Sequence, residues 1–398
     1  MGSQRIIYMD HSATTFVKPD VLDAMIPYFT EHFGNPSSVY GIARDSKKAI
    51  DAARVQAARA LGADPEEIYF TSGGSESDNW AIKGIAFANR KRGNHIITTQ
   101  IEHHAVLHAC QFLEKEGFEI TYLPVDQYGL VNPRDLETAI TDTTILVSIM
   151  YANNEIGTIE PVAELGAIAR RHKVYFHTDA VQAIGNIPLD VKASNIDLLS
   201  LSAHKFYGPK GVGALYIRKG VRIDNLIHGG GQERKRRAGT ENIAGIVGLG
   251  KAIEMATADI PGHNAKIRAM RDRLIRGVLE KIPHARLNGH PEKRLCGNVN
   301  ISFEFIEGES MLLWLDDAGI CASTGSACTS GSLEPSHVLL ATGLPVEISH
   351  GSLRLTLGDA NTEADVDVVL EVLPKVVTKL REMSPLYQKS GKEGGCNV

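Results

Sequence analysis

From Ile68 onward the chain alternates strand-like runs with helix-length stretches. Ile68–Thr71 is followed by Asp78–Asn89, His95–Thr99 by His104–Glu116, Thr121–Pro124 by Pro133–Ile140, and Ile145–Met150 by Val162–Arg171. Three more strand-like runs follow at Val174–His177, Ile196–Leu201 and Gly213–Ile217. This alternation constrains the fold strongly, because parallel strands need a crossover between them and the crossover helices must bury their apolar faces on the sheet. The expected fold class is α/β: a mostly parallel central sheet flanked by helices, with ligands bound at the carboxyl ends of its strands.

The pattern differs at both ends of the chain. Before Ile68, Lys18-Pro19 leads into an amphipathic helix expected from about Asp20 to His32, Gly34-Asn-Pro-Ser-Ser38 breaks the chain, and a structural helix is expected from Asp45 to Leu61. After Gly250, Ala256-Thr-Ala-Asp-Ile-Pro-Gly-His263 reads as a boundary. A long helix is expected from about Asn264 to Ile282, with strands near Asn298–Phe303 and Ser352–Thr356 and a last helix from about Thr362 to Met383. The expected division is a large domain over 15–257, a smaller α+β domain from 1–14 and 258–385, and a disordered tail over 386–398.

With 398 residues, 43% of them hydrophobic, the chain can bury cores of that size. Its 42 basic and 47 acidic residues form no long basic stripe, which argues against nucleic acid as a partner. The basic cluster Arg234-Lys-Arg-Arg237 reads as a solvated loop or a subunit contact. No apolar run approaches the ~18 residues that span a bilayer, and Met1-Gly-Ser-Gln-Arg5 is too short and polar to open a secretory signal, so a cytoplasmic protein is expected. Cys110, Cys296, Cys321, Cys328 and Cys396 are odd in number and contain no Cys-x-x-Cys pair, which argues against a disulfide framework or a zinc ribbon.

The stretch Asp197 to Gly213 carries the chemistry. Its apolar run Leu198, Leu199, Leu201 reads as a strand buried on both faces, and Lys205 falls just past the strand end, before Gly208-Pro209. A lysine there is expected to be partly desolvated, which lowers its pKa and suits it to attack a carbonyl. Ser202 and His204 put a hydroxyl and an imidazole beside it, a grouping that fits an anionic cofactor with an aldehyde, such as pyridoxal phosphate. Lys210, in the Gly-Pro-Lys-Gly turn, is expected to face water.

Other candidates also fall at strand ends. Thr71-Ser-Gly-Gly-Ser-Glu76 precedes a helix, so the N–H groups of Gly74 and Ser75 can hold an anion; a plain turn capped by Ser75 is the alternative. Asp179 and Gln182 are three apart in what reads as an opening helical turn, where Asp179 either pairs with a pyridine nitrogen or merely caps the helix. Glu102 precedes His103, His104 and His108. The last two share a helix face, which brings metal binding to mind, but the stretch lacks a His-Glu-x-x-His pattern, and His103 is read as a planar group over a cofactor ring. Asn35 and Asn154 offer amides to a ring or carboxylate. Arg354, inside an apolar strand, needs either a substrate carboxylate or an internal ion pair. Cys328 lies in Cys321-Ala-Ser-Thr-Gly-Ser-Ala-Cys-Thr-Ser-Gly-Ser332, a glycine- and serine-rich loop that would leave its thiol exposed and reactive, whereas Cys110, Cys296 and Cys321 read as buried.

Taken together, Ser-Ala-His-Lys-Phe-Tyr-Gly-Pro-Lys-Gly and Ser-Thr-Gly-Ser-Ala-Cys resemble the NifS/IscS cysteine desulfurases, which are fold-type I pyridoxal phosphate enzymes. Glu-His-His-Ala, Tyr-Ala-Asn-Asn-Glu-Ile-Gly, His-Thr-Asp-Ala-Val-Gln and Arg-Arg-Ala-Gly-Thr-Glu-Asn extend the resemblance over nearly the whole chain. It implies that Lys205 carries the cofactor, Asp179 pairs with its pyridinium, Gln182 with its phenolic oxygen, and His103 stacks on the ring. Gly74, Ser75, Ser202 and His204 would bind the phosphate, joined by Thr240 across a homodimer interface, and Asn35, Asn154 and Arg354 would hold the substrate carboxylate. The implied reaction takes sulfur from L-cysteine onto Cys328 as a persulfide, releases L-alanine, and passes the sulfur to a NifU/IscU-like iron–sulfur scaffold. No resident metal is implied, although Cys328 would transiently meet a nascent cluster. A carbon–sulfur lyase or aminotransferase of the same fold is the alternative.

Overall fold

The computed structural model describes residues 5–324, 334–385 and 387. The chain opens with β1 (Ile7–Tyr8) and then forms β2 (Ile68–Thr71), β3 (His95–Thr99), β4 (Glu119–Leu123), β5 (Thr144–Ser148), β6 (Tyr175–Asp179), β7 (Leu198–Ser202) and β8 (Gly213–Ile217). Four more strands follow: β9 (Ala285–Leu287), β10 (Asn298–Phe303), β11 (Ile320–Cys321) and β12 (Ser352–Thr356).

The central sheet has seven strands in the order β2-β8-β7-β6-β5-β3-β4. Its pairings are parallel from β7 through β4, and β8 runs antiparallel to both neighbours. Side chains alternate between the two faces, so adjacent residues enter different cores. Ile96, Leu146 and Leu198 face the helices Gly74–Asn89 and His104–Lys115, where they pack with Trp80, Ile85 and Leu113. Their chain neighbours Ile97, Val147 and Leu199 face the opposite layer, packing with Ile50, Leu165 and Leu249.

A second core lies on the antiparallel sheet β12-β10-β9. Val299, Ile301, Leu353 and Leu355 pack there against Leu274 of the helix Ile260–Lys281 and Val369 of the helix Glu363–Met383. The N-terminus belongs to this core, because β1 pairs with β11 and buries Ile7 and Met9 in it. No helix among the described residues is long and apolar enough to cross a membrane.

Several element boundaries differ from the sequence expectation for local reasons. The helix expected over Asp20–His32 is split into Pro19–Met25 and Pro27–Thr30, because Pro27 supplies no N–H to a continuous helix. The helix expected from Asn264 starts at Ile260. There Asp259 accepts a hydrogen bond from Gly262 N–H, and Pro261 sits in the first turn, where a proline costs no helical bond. β6 runs two residues further than expected and ends on Asp179 itself, and the chain beyond it forms a series of turns rather than a helix.

Candidate functional site

The carboxyl ends of β2, β3, β5, β6 and β7 share one edge of the sheet, and a cleft of about 350 Å³ opens above that edge. Ten of the residues expected at the site meet there. Lys205, Asp179, Gln182 and His103 line its floor and walls, Gly74, Ser75, Ser202 and His204 one end, and Asn154 and Arg354 the other. β12 supplies Arg354, so the cleft lies between the two cores.

Lys205 closes the short turn Ala203–Lys205 that follows β7. Its Nζ donates to the carbonyls of Ser12 (2.5 Å) and Ala13 (2.8 Å), and Gln182 Nε2 donates to the same Ser12 oxygen at 3.0 Å. The N-terminal segment therefore holds the amine in the cleft. Sequence reasoning missed these two carbonyls, since backbone acceptors carry no side-chain signature.

The floor is acidic and buried. Asp179 Oδ1 accepts from Val181 N–H at 2.9 Å. Burial pushes its carboxyl up to about 6, while that hydrogen bond and Lys205 hold it down. Asp78 lies well above the ordinary carboxylate range through burial and the nearby Asp179, and its Oδ1 has no hydrogen-bond partner among the described residues. Asp78 was not foreseen, because an aspartate inside a helix of ordinary pattern gives no local signal. Glu102, fully buried, accepts from Thr99 Oγ1 (2.7 Å) and Met150 N–H (2.9 Å), and burial raises it to about 8.

His103 caps the helix His104–Lys115, accepting from Ala105 N–H at Nδ1. Burial and the charge of Lys205 lower it to about 4, so at neutral pH it is a neutral ring with its proton on Nε2. His204, whose ring meets Thr14 Oγ1 at 3.1 Å, is likewise lowered to about 4 by burial and Lys205.

The anion end is built on backbone. The helix Gly74–Asn89 has Gly73 as its N-cap at φ 151°, a conformation that favours glycine, and no side chain caps its first turn. Its leading N–H groups therefore stay open towards the cleft, and Ser75 lies inside the helix rather than capping it. A hollow of about 350 Å³ adjoins this end and is lined by Ser75, His204, Thr14 and Lys210. Lys210 was expected to face water alone. It is exposed, yet its Nζ donates to Thr15 O at 3.2 Å, which keeps a cation beside the helix terminus.

Arg354 makes the internal ion pair considered for it and also lines the cleft. It is 2% exposed, Nη2 donates to Asp10 at 2.8 Å and Nη1 to Asn154 O at 3.1 Å, while Nε has no partner among the described residues. The basic cluster is also more engaged than a solvated loop would be: Arg237 pairs with Glu76 through two hydrogen bonds, and Arg234 donates to Ile68 O.

Two of the expected residues that the structure describes are not brought to the cleft. Asn35 is exposed, with Oδ1 accepting from Ser37 N–H, and Thr240 is exposed on another loop. Neither lines the cleft of a single chain. Cys328 lies outside the described residues, as does Cys396. Both described flanks of 325–333 are tied near the cleft: Ser323 bridges to Arg354, Ser336 Oγ donates to Glu155 at 2.5 Å, and His337 donates to Glu102 O. Cys110 and Cys296 are buried, as expected. Burial raises them to about 12 and about 11, and it also raises the partly exposed Cys321.

These residues fit pyridoxal phosphate. An open helix terminus suits its phosphate, Lys205 its aldehyde, and the buried pair Asp179 and Asp78, with Asp78 Oδ1 lacking a hydrogen-bond partner among the described residues, suits a protonated pyridine nitrogen.

Residues 7–369 match the class-V aminotransferase family. The chain is 67% identical over 385 residues to the cysteine desulfurase IscS of Methanosarcina thermophila, covering 97% of this chain and 95% of that protein. It is 64% identical over 384 residues to the cysteine desulfurase IscS of Clostridium botulinum (strain Hall), covering 96% and 97%. Among solved structures, a NifS-like protein superposes with a TM-score of 0.89 at 40% identity, covering 94% of this chain and all of that one.

Proposed function

We propose, since this chain belongs to the class-V aminotransferase family and within it to the pyridoxal phosphate-dependent cysteine desulfurases, that the cleft residues divide the removal of sulfur from L-cysteine among them. The convergence of Lys205, Asp179, His103 and Arg354 on one cleft carries this reading. When bound, pyridoxal phosphate supplies an electron sink for bond breaking at the substrate's α-carbon.

Lys205 would hold the cofactor through Nζ, and its amine, when not so engaged, would accept the substrate's α proton. Asp179 would pair as a carboxylate with the cofactor's ring nitrogen and favour its protonated form. Gln182 would donate to the cofactor's phenolic oxygen, and His103 would cover its ring and offer its Nε2 proton as an acid. Gly74, Ser75, Ser202 and His204 hold the phosphate, completed by Thr240 of the partner subunit in a homodimer. Arg354 Nε and Asn154 would hold the substrate carboxylate, joined by Asn35, which does not line the cleft of a single chain. Cys328 thiolate attacks the substrate sulfur. As the new S–S bond forms, the C–S bond breaks, and the three-carbon fragment gains a proton and leaves as L-alanine.

The anchored flanks of 325–333 and the raised thiols of Cys110, Cys296 and Cys321 support Cys328 as the sulfur carrier. Delivery to a NifU/IscU-like scaffold for iron–sulfur assembly in the cytoplasm, with passing contact between Cys328 and a nascent cluster, completes the reading. The two cores support a large domain over 15–257 and a small one over 1–14 and 258–385.

Peptide mass mapping after incubation with L-cysteine and no reductant tests the assignment. One added sulfur on Cys328, lost in Lys205→Ala, is expected. An unmodified Cys328 with accumulating sulfide and pyruvate would make the protein a carbon–sulfur lyase.

A further inference from the structure

His104 and His108 lie one turn apart on the helix His104–Lys115, and neither has a part in the desulfurase reading. The fold brings a third imidazole to this pair from far along the chain. His337 opens the helix His337–Ala341, and its ring centroid lies 4.8 Å from that of His104, which is itself 5.0 Å from His108. Two imidazoles on one metal ion, each bound at about 2.0–2.1 Å, place their ring centres about 5 Å apart.

The hydrogen bonding around the three rings suits ligation. His337 donates from Nε2 to the Glu102 carbonyl at 2.9 Å, which fixes the neutral tautomer and leaves Nδ1 as a lone-pair donor. Metal-bound histidines are usually oriented in this way, by giving their other N–H to a carbonyl or carboxylate. Nδ1 of His104 is buried without a hydrogen-bond partner among the described residues. His108 is exposed, so its ring can turn to bring a nitrogen towards the other two. Burial also holds His104 and His337 below the ordinary histidine range, which favours the neutral, ligating form.

We propose that His104, His108 and His337 bind one borderline divalent transition-metal ion, of the zinc or nickel class, with water completing its coordination. Imidazole ligands with no carboxylate or thiolate select such ions over magnesium or calcium. The ion would tie the helix His104–Lys115 to the helix His337–Ala341, which follows the Cys328 segment in the chain. The donor atoms that already lie within 4.8 Å of one another, those of Asp78, His103 and Asp179, are in the cofactor cleft, whereas the three imidazoles need the exposed His108 ring to turn towards the other two. Bound cofactor would cover the cleft group, so the two groups can be told apart in the holoenzyme.

The test is calorimetric titration of Ni²⁺ into tag-free, full-length holoenzyme carrying Cys328→Ser and Cys396→Ser, which removes two competing thiols. One ion per protomer is expected, with a Kd on the order of micromolar, weakened at least about tenfold by His108→Gln and by His337→Gln. His108→Gln changes an exposed ring and leaves folding intact. In otherwise unmodified protein it should leave L-cysteine turnover unchanged. Absence of Ni²⁺ binding at about 100 µM, or binding that survives His108→Gln, overturns the proposal.

Discussion

Glu102 shows how one buried side chain can be legible by type and illegible by state. Glutamate beside three histidines reads as a metal or acid–base motif, yet the carboxyl faces inward against Thr99 and Met150 and stays protonated to about pH 8. The unfolded chain releases this proton near the ordinary glutamate value of about 4.3, whereas the folded chain keeps it, so the stability it contributes is present below that value and lost as pH rises to 8. Glu102→Gln replaces the neutral acid with a group of the same shape that cannot ionise. Its melting temperature should equal or fall below that of the parent at pH 5 and exceed it by at least about 2 °C at pH 8. Equal pH dependence in both proteins, followed by differential scanning fluorimetry, would show Glu102 to be ionised in the fold.

At the scale of elements, β8 and the turn before the helix Gly74–Asn89 depend on each other. A Cβ at Gly213 would lie 2.5 Å from Leu201 O and 2.7 Å from Gly73 Cα, both backbone atoms that cannot swing aside. The glycine at the start of β8 therefore lets that strand sit beside the anion-binding turn. Gly213→Ala should destabilise the protein by about 1–3 kcal/mol in urea unfolding and weaken binding of pyridoxal phosphate, measured by absorbance titration, by at least about tenfold. A variant with parental affinity and stability would show that this packing does not shape the turn. The apolar runs that form β7 and β8 were plain in the sequence, but the antiparallel direction of β8 was not. Strand pattern reports burial, and the same run of buried residues fits either direction.

At the scale of the molecule, the stretch from the first helix, Pro19–Met25, to the start of the long helix Gly41–Leu61 exposes a series of large apolar residues. Phe29 is 62% exposed, Phe33 65% and Val39 87%, with Leu22, Ile26 and Tyr40 near half. A monomer seldom leaves so many in one stretch uncovered. A homodimer would cover them and bring in Thr240 of the partner subunit. Sedimentation should therefore give a dimer, and Phe29→Glu with Phe33→Glu should shift it towards monomer and weaken cofactor binding together. A double variant that stays dimeric with unchanged affinity would place the interface elsewhere.

The features legible in the residues alone are local. Strand–helix alternation, a lysine just past a buried strand, and a glycine-rich turn before a helix depend on residues within a few positions of one another, where periodicity and turn chemistry act. The Ser12 and Ala13 carbonyls on Lys205, the pairing of Asp10 with Arg354, and the approach of His337 to His104 join residues 190 or more positions apart. Only the order of the strands and the packing of one core against the other bring them together. Local pattern sets which face of an element is buried, and contact between distant elements is left to the tertiary fold.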